Sequence, residues 1–97
     1  MNINETSRQE YISRINKVMN YVDSHIDEPL SLSSLAGIAN FSAFHFHRIF
    51  TVMTGETPGD YVQRVRIEKA AFLLQNDKRM AISDIAFACG FGSILKN

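Results

Sequence analysis

The chain has a single cysteine, Cys89, so it holds no intrachain disulfide, which fits a reducing compartment. No apolar run approaches the roughly 20 residues needed to cross a bilayer. The opening residues (Asn2, Asn4, Glu5, Thr6, Ser7, Arg8) are polar and show no secretory leader. A cytoplasmic protein is expected. The net charge is zero, with 10 Lys and Arg against 10 Asp and Glu, and does not advertise a polyanion partner. There is no glycine-rich phosphate loop and no alternating strand pattern. What remains is an all-α chain of 97 residues, 45% apolar, enough for one small domain or two very small units sharing a helix.

Charge distribution is more informative than its sum. Residues 1–40 hold three Lys and Arg against five Asp and Glu, whereas residues 41–79 hold six against four. Any nucleic-acid face is therefore expected in the middle of the chain.

A repeat organises the sequence. Leu32-Ser-Ser-Leu-Ala-Gly-Ile-Ala-Asn-Phe-Ser42 returns 50 positions later as Ile82-Ser-Asp-Ile-Ala-Phe-Ala-Cys-Gly-Phe-Gly92. Ser33/Ser83, Ala36/Ala86 and Phe41/Phe91 match outright, and Ala39/Cys89 keep a small side chain. Asn40/Gly90 pair two residue types that tolerate positive φ. The unit reads as helix, tight turn, helix, used twice.

Flanking signals place the helices. Tyr11, Ile12, Ile15, Val18, Met19, Val22 and Ile26 fall at three- and four-residue steps, as in an amphipathic first helix of about 18 residues, ended by Pro29. Ser31 caps a second helix, Leu32 to about Ala39; Ser42 caps a third, which Gly55 stops after about Thr54. Thr57-Pro58 opens a fourth, to about Gln75. Tyr61, Val62, Val65, Phe72 and Leu73 lie on one side of it, with Ile67, Ala70, Ala71 and Leu74 on another. Such a helix is expected to be packed on both sides, as a bridge between the two copies.

The third helix, about 43–54, carries the candidate site. At 100° per residue, Phe46, Ile49, Phe50 and Met53 converge on one face, able to pack on Ala36 and Ala39. Phe44, His47, Arg48 and Thr51 share the opposite one. Arginine can pair with guanine O6 and N7, and an aromatic edge can touch a thymine methyl, so this face suits base reading in a major groove. The alternative is a solvated face with one stray aromatic. His45 and His47 point about 200° apart and lack further ligands nearby, which argues against a metal. His25 fits a helix C-terminus, and Cys89 a small buried residue. Ser33 and Ser83 have no histidine placed to activate them; no enzyme and no cofactor are expected.

These residues resemble the DNA-binding domain of the AraC/XylS family of bacterial transcription regulators. The resemblance runs from about Tyr11 to Ser93. It rests on Leu35-Ala36 with Ala39, the Phe41-Ser42 turn, and Phe46-His47-Arg48-Ile49-Phe50 leading to Thr54-Gly55. It continues through Pro58 with Tyr61, Arg66-Ile67 with Ala70 and Leu73-Leu74, and Ile85-Ala86 with Cys89-Gly90-Phe91. It implies two helix-turn-helix units joined by a long helix: residues 8–57 for the first helix and first unit, 58–76 for the bridge, 80–97 for an incomplete second unit. It also implies double-stranded DNA as partner, base contacts from Phe44, His47 and Arg48, and backbone contacts from Ser31, Ser42, Thr51 and Thr57. RNA polymerase is a further partner by the same resemblance. Family members continue past Ser93 with a second recognition helix. Here only Ile94-Leu95-Lys96-Asn97 follows, so a C-terminally truncated form is expected. The competing expectation is a protein-interaction fragment that no longer reads DNA and self-associates, as a homodimer, through Ile82, Ile85, Phe91, Ile94 and Leu95.

Overall fold

The computed structural model describes residues 3–91, with side chains from Ser7 onward. Expectations for Gly92 to Asn97, including the tail Ile94 to Asn97, lie outside the described residues. Five helices follow one another: α1 (Ile3–Ser24), α2 (Leu32–Ala39), α3 (Ala43–Thr54), α4 (Pro58–Asn76) and α5 (Ile82–Ala88). No strand occurs among the described residues, and no helix there is long and apolar enough to cross a membrane.

The first unit is built as the spacing predicts. Val18 and Val22 of α1, Leu35 and Ala39 of α2, and Phe46 and Phe50 of α3 share one core, which Tyr61 and Val62 of α4 complete. Ala36 and Ala39 are buried, and their small side chains let α2 approach its neighbours closely. Met53 departs from the expected face: it stays partly exposed beside Ile12, near the last turn of α3.

Capping follows the sequence signals. Ser31, Ser42 and Thr57 sit in extended backbone, and each side chain accepts from the amide three residues on, Ser34, His45 and Asp60. Gly55 ends α3 at φ 84°. The turn of the repeat recurs bond for bond. After α2, Phe41 N–H donates to Ala36 O at 3.0 Å and Asn40 N–H to Gly37 O at 3.1 Å. After α5, Phe91 N–H donates to Ala86 O at 2.8 Å and Gly90 N–H to Phe87 O at 3.2 Å. Both are Schellman turns, with Asn40 at φ 60° and Gly90 at φ 86°. One element is not copied: Ala81 has the capping backbone, φ −68° and ψ 150°, but no side chain to cap with.

Two expectations need correction. The first helix ends at Ser24, well before Pro29. His25 N–H turns back to Val22 O and Glu28 N–H to His25 O, which swings Ile26 into the core. His25 closes the helix end: its Nδ1 donates to Tyr21 O at 2.9 Å, and its ring stacks on Tyr21. Second, α4 is not packed on two sides along its length. Its first turns are buried through Tyr61 and Val62, but Ile67, Phe72 and Leu74 are at least half exposed. Among the described residues α5 packs on α4, and its seven residues are too few to cover the helix along its length. Cys89, at the end of α5, is fully buried, and burial pushes its thiol up, as expected of a small core residue.

Candidate nucleic-acid interface

A rigid platform holds α3. Its inner face is fixed by Phe46 and Phe50, both fully buried, whose rings meet at 5.6 Å. Its start is pinned by a cluster at the turn. Tyr11 meets Phe41 edge-on at 5.3 Å, and Phe41 meets His45 at 5.1 Å. Arg14 of α1 lies over the Phe41 ring at 4.8 Å and donates to Asn40 O, so α1 grips the turn that sets the angle between α2 and α3. His45 is thereby an aromatic partner at the turn, turned away from His47. No group of three potential metal ligands occurs among the described residues.

The outward face of α3 presents the predicted residues together. Phe44 is 75% exposed, His47 and Arg48 are exposed, and Thr51 is half buried at the edge. Among the described residues no carboxylate pairs with Arg48, and its guanidinium donors face solvent. Sequence reading missed Val52, which is 82% exposed, the most open large apolar side chain on this face. Phe44, Arg48 and Val52 follow one another at four-residue steps and form a row about 12 Å long. The four-residue spacing is present in the sequence, but valine carries no polar group to mark the position as outward.

The four proposed backbone contacts differ in what they can donate. The Ser42 oxygen accepts from His45 N–H at 3.2 Å, which leaves its hydrogen free for an anion at the α3 N-terminus. Thr57 likewise accepts from Asp60 N–H at 3.1 Å. Ser31 accepts from Ser34 N–H and turns its own hydrogen to the Ser34 hydroxyl. Thr51 donates to His47 O at 2.7 Å, so its hydrogen is already committed within the helix. Thr51 and Ser31 must break a bond before they can donate to a phosphate; Ser42 and Thr57 need not.

Local electrostatics also separate the arginines. Arg64 of α4 is held by Glu56 at 2.6 Å and Glu68 at 2.8 Å, and it lies over Tyr61. These hydrogen bonds hold the Glu56 carboxyl below its ordinary value. Arg64 is internally neutralised, whereas Arg48 has no such partner among the described residues.

Comparison with known proteins places this scaffold. A family model described as a helix-turn-helix domain matches residues 35–94. The bifunctional transcriptional activator/DNA repair enzyme AdaA of Bacillus subtilis is 38% identical over 80 residues, which is 81% of this chain and 37% of AdaA. The regulatory protein SoxS of Escherichia coli K12 is 34% identical over 79 residues, covering 81% of this chain and 73% of SoxS. Against AdaA and the transcriptional activator RhaS of Enterobacter, the chain spans 37% and 28% of their lengths. Among solved structures, the DNA-binding domain of AdpA in complex with a target DNA superposes with a TM-score of 0.75 at 27% identity. That match covers 79% of this chain and 68% of the AdpA chain. An AraC-type regulator from Chromobacterium violaceum gives 0.74 at 29% identity, over 81% and 70%. By its repeat, its turn geometry and these relatives, the chain belongs to the AraC/XylS family of helix-turn-helix transcription regulators.

Proposed function

We propose that the chain is a transcription regulator module that binds double-stranded DNA by placing α3 in the major groove. The observation that carries this reading is the division of α3 itself. Phe46 and Phe50 anchor it in the core, while Phe44, His47 and Arg48, which has no ion-pair partner among the described residues, stand outward on a fold similar to one crystallised on DNA. Arg48 pairs with a guanine edge, His47 donates to or accepts from a neighbouring base, and Phe44 packs on a thymine methyl. Ser42 and Thr57 donate to phosphates and fix the register; Ser31 and Thr51 join them once their internal bonds open. The module does no chemistry of its own and works in the cytoplasm where the DNA lies; contact with RNA polymerase follows binding.

A single inserted helix gives an interface near the small end, about 600–1,000 Å², so affinity is modest and falls steeply with salt. The test is selection from a random duplex pool, then fluorescence anisotropy with the selected duplex at several salt concentrations. Arg48→Ala is expected to weaken binding about ten- to hundredfold, or about 1–3 kcal/mol, and to relax preference at one base pair. Unchanged affinity removes Arg48 from the reader role, and nanomolar selective binding by a monomer contradicts the single-helix reading.

A second reading has its own observation. Phe72, Leu74, Ile82 and Phe87 on α4 and α5 are all at least half exposed, more apolar surface than solvent favours. In this reading the chain self-associates as a homodimer through these helices; of the residues expected to form that patch Ile82 is exposed, but Ile85 is buried in the core and cannot contribute. Sedimentation at two concentrations decides it: a strict monomer excludes it.

A further inference from the structure

We propose that Arg66 is a positioning residue that fixes the second helical unit against the first. It stands on α4, yet none of its partners does. Its Nε donates to Ile26 O at 3.3 Å, and its Nη2 donates to Glu28 O at 2.8 Å. Both carbonyls belong to the irregular segment between α1 and α2, where no helix supplies a donor. The same guanidinium lies against Gly90, the left-handed residue of the turn after α5. A Cβ built on Gly90 would fall 2.4 Å from Ile26 O and 2.5 Å from Arg66 Nε. Three segments distant in sequence thus meet at one side chain: the loop entering the first unit, the bridge, and the turn of the second.

The chemistry of arginine is what this junction needs. Its planar fork offers separate N–H donors a fixed distance apart, and so it can hold two carbonyls at once. A lysine ammonium carries no such fork and cannot impose the same angle. Glycine at position 90 is the complement: with positive φ and no side chain, it admits the guanidinium and the Ile26 carbonyl together. Arg14 provides the contrast. It reaches Asn40 O and covers Phe41, but both lie within the unit that α1 already belongs to. Arg66 joins one unit to the other. Beyond the DNA reading, this assigns a residue that sets where α5 and its turn stand relative to α3. Any effect on DNA register rests on that reading, whereas the geometry does not.

The test measures the geometry directly. Ser33→Cys and Ser83→Cys place spin labels on exposed positions of α2 and α5, while buried Cys89 stays unlabelled. The molecule's longest extent of 55 Å keeps the pair within range of double electron–electron resonance. In Arg66→Ala the distance distribution is expected to widen at least twofold, with the NMR signals of Phe46 and Phe50 unmoved. Arg66→Lys is expected to widen it as well, because charge without the fork does not suffice. Gly90→Ala, which drives the guanidinium out from the other side, is expected to shift the mean distance. Parental widths in both Arg66 variants overturn the proposal. So does equal disturbance of Phe46 and Phe50, which would make Arg66 a general stabilising residue. Should α5 unfold in Arg66→Ala, Arg66→Lys decides by the same criteria. Failure of the parent chain to bind DNA bears on the α3 reading alone and leaves these distances unaffected.

Discussion

Replacing Ala81 with serine, A81S, transfers to α5 a cap that α2 already has. The backbone is prepared for it: Ser31 stands at φ −80° and ψ 156°, and Ala81 at φ −68° and ψ 150°. In α2 the Ser31 oxygen accepts from Ser34 N–H at 3.1 Å. The same rotamer at position 81 meets the amide of Asp84. Ala81 is exposed, so the substitution costs no packing. An N-cap serine over alanine contributes about 1 kcal/mol, close to fivefold in an opening equilibrium. Amide exchange reads it at Ile85 and Cys89, whose N–H groups donate to Ala81 O and Ile85 O. Both should exchange about fivefold more slowly, with Phe46 unchanged, since a short peripheral helix opens locally. The reciprocal change, Ser31→Ala, removes the same bond from a helix whose Leu35, Ala36 and Ala39 lie in the main core. There the loss is global and should lower Tm by about 4–8 °C. Unaltered exchange at Ile85 and Cys89 in A81S would refute the reasoning, because it would show that matching backbone angles do not make the two helix starts equivalent.

Phe46→Ala empties a fully buried aromatic site where α3 meets α1 and α2. The expected loss is about 3–5 kcal/mol, enough to unfold much of the population, as circular dichroism in urea would show. The Glu56 carboxyl, held low chiefly by its hydrogen bonds from Arg64, favours the folded state above its ordinary value of 4.5. That contribution is lost as pH falls through the lowered, folded value. In Glu56→Gln the acid limb of the stability profile should therefore be flatter, measured by thermal melts between about pH 3 and pH 6. An unchanged profile would show the pair to be solvent-screened into irrelevance.

The parts of this molecule that are legible in the sequence are those governed by near neighbours along the chain. The caps at Ser31, Ser42 and Thr57 depend on an amide three residues away, and the sequence carries both partners. The left-handed turn at Asn40 is announced by its pairing with Gly90 across the repeat. The outward row of α3 follows from a fixed rotation per residue, except that Val52 carries no polar group to mark it. The premature end of α1 was hidden because its cause is remote: Ile26 leaves the helix to enter a core whose other members lie downstream. Arg66 is the extreme case, with partners 40 and 38 residues away. Nothing local distinguishes it from Arg64, which turns to two glutamates on its own side of the molecule.

The repeat offset accounts for the exposed half of α4. Moved forward by 50 positions, α1 falls on α4, so the bridge is also the opening helix of the second unit. Val22, fully buried, then corresponds to Phe72, which is 62% exposed. The backbone context is equivalent and the residue is larger and more apolar, so intrinsic preference cannot explain the difference. What differs is the covering. Val22 shares its core with Phe46 and Phe50 of α3, whereas among the described residues no helix takes the place of α3 beside Phe72. A helix is buried by what its neighbours bring, not by its own composition. Substituting Phe72 with a polar residue should therefore leave the stability of the first unit unchanged, whereas the same change at Val22 should collapse it.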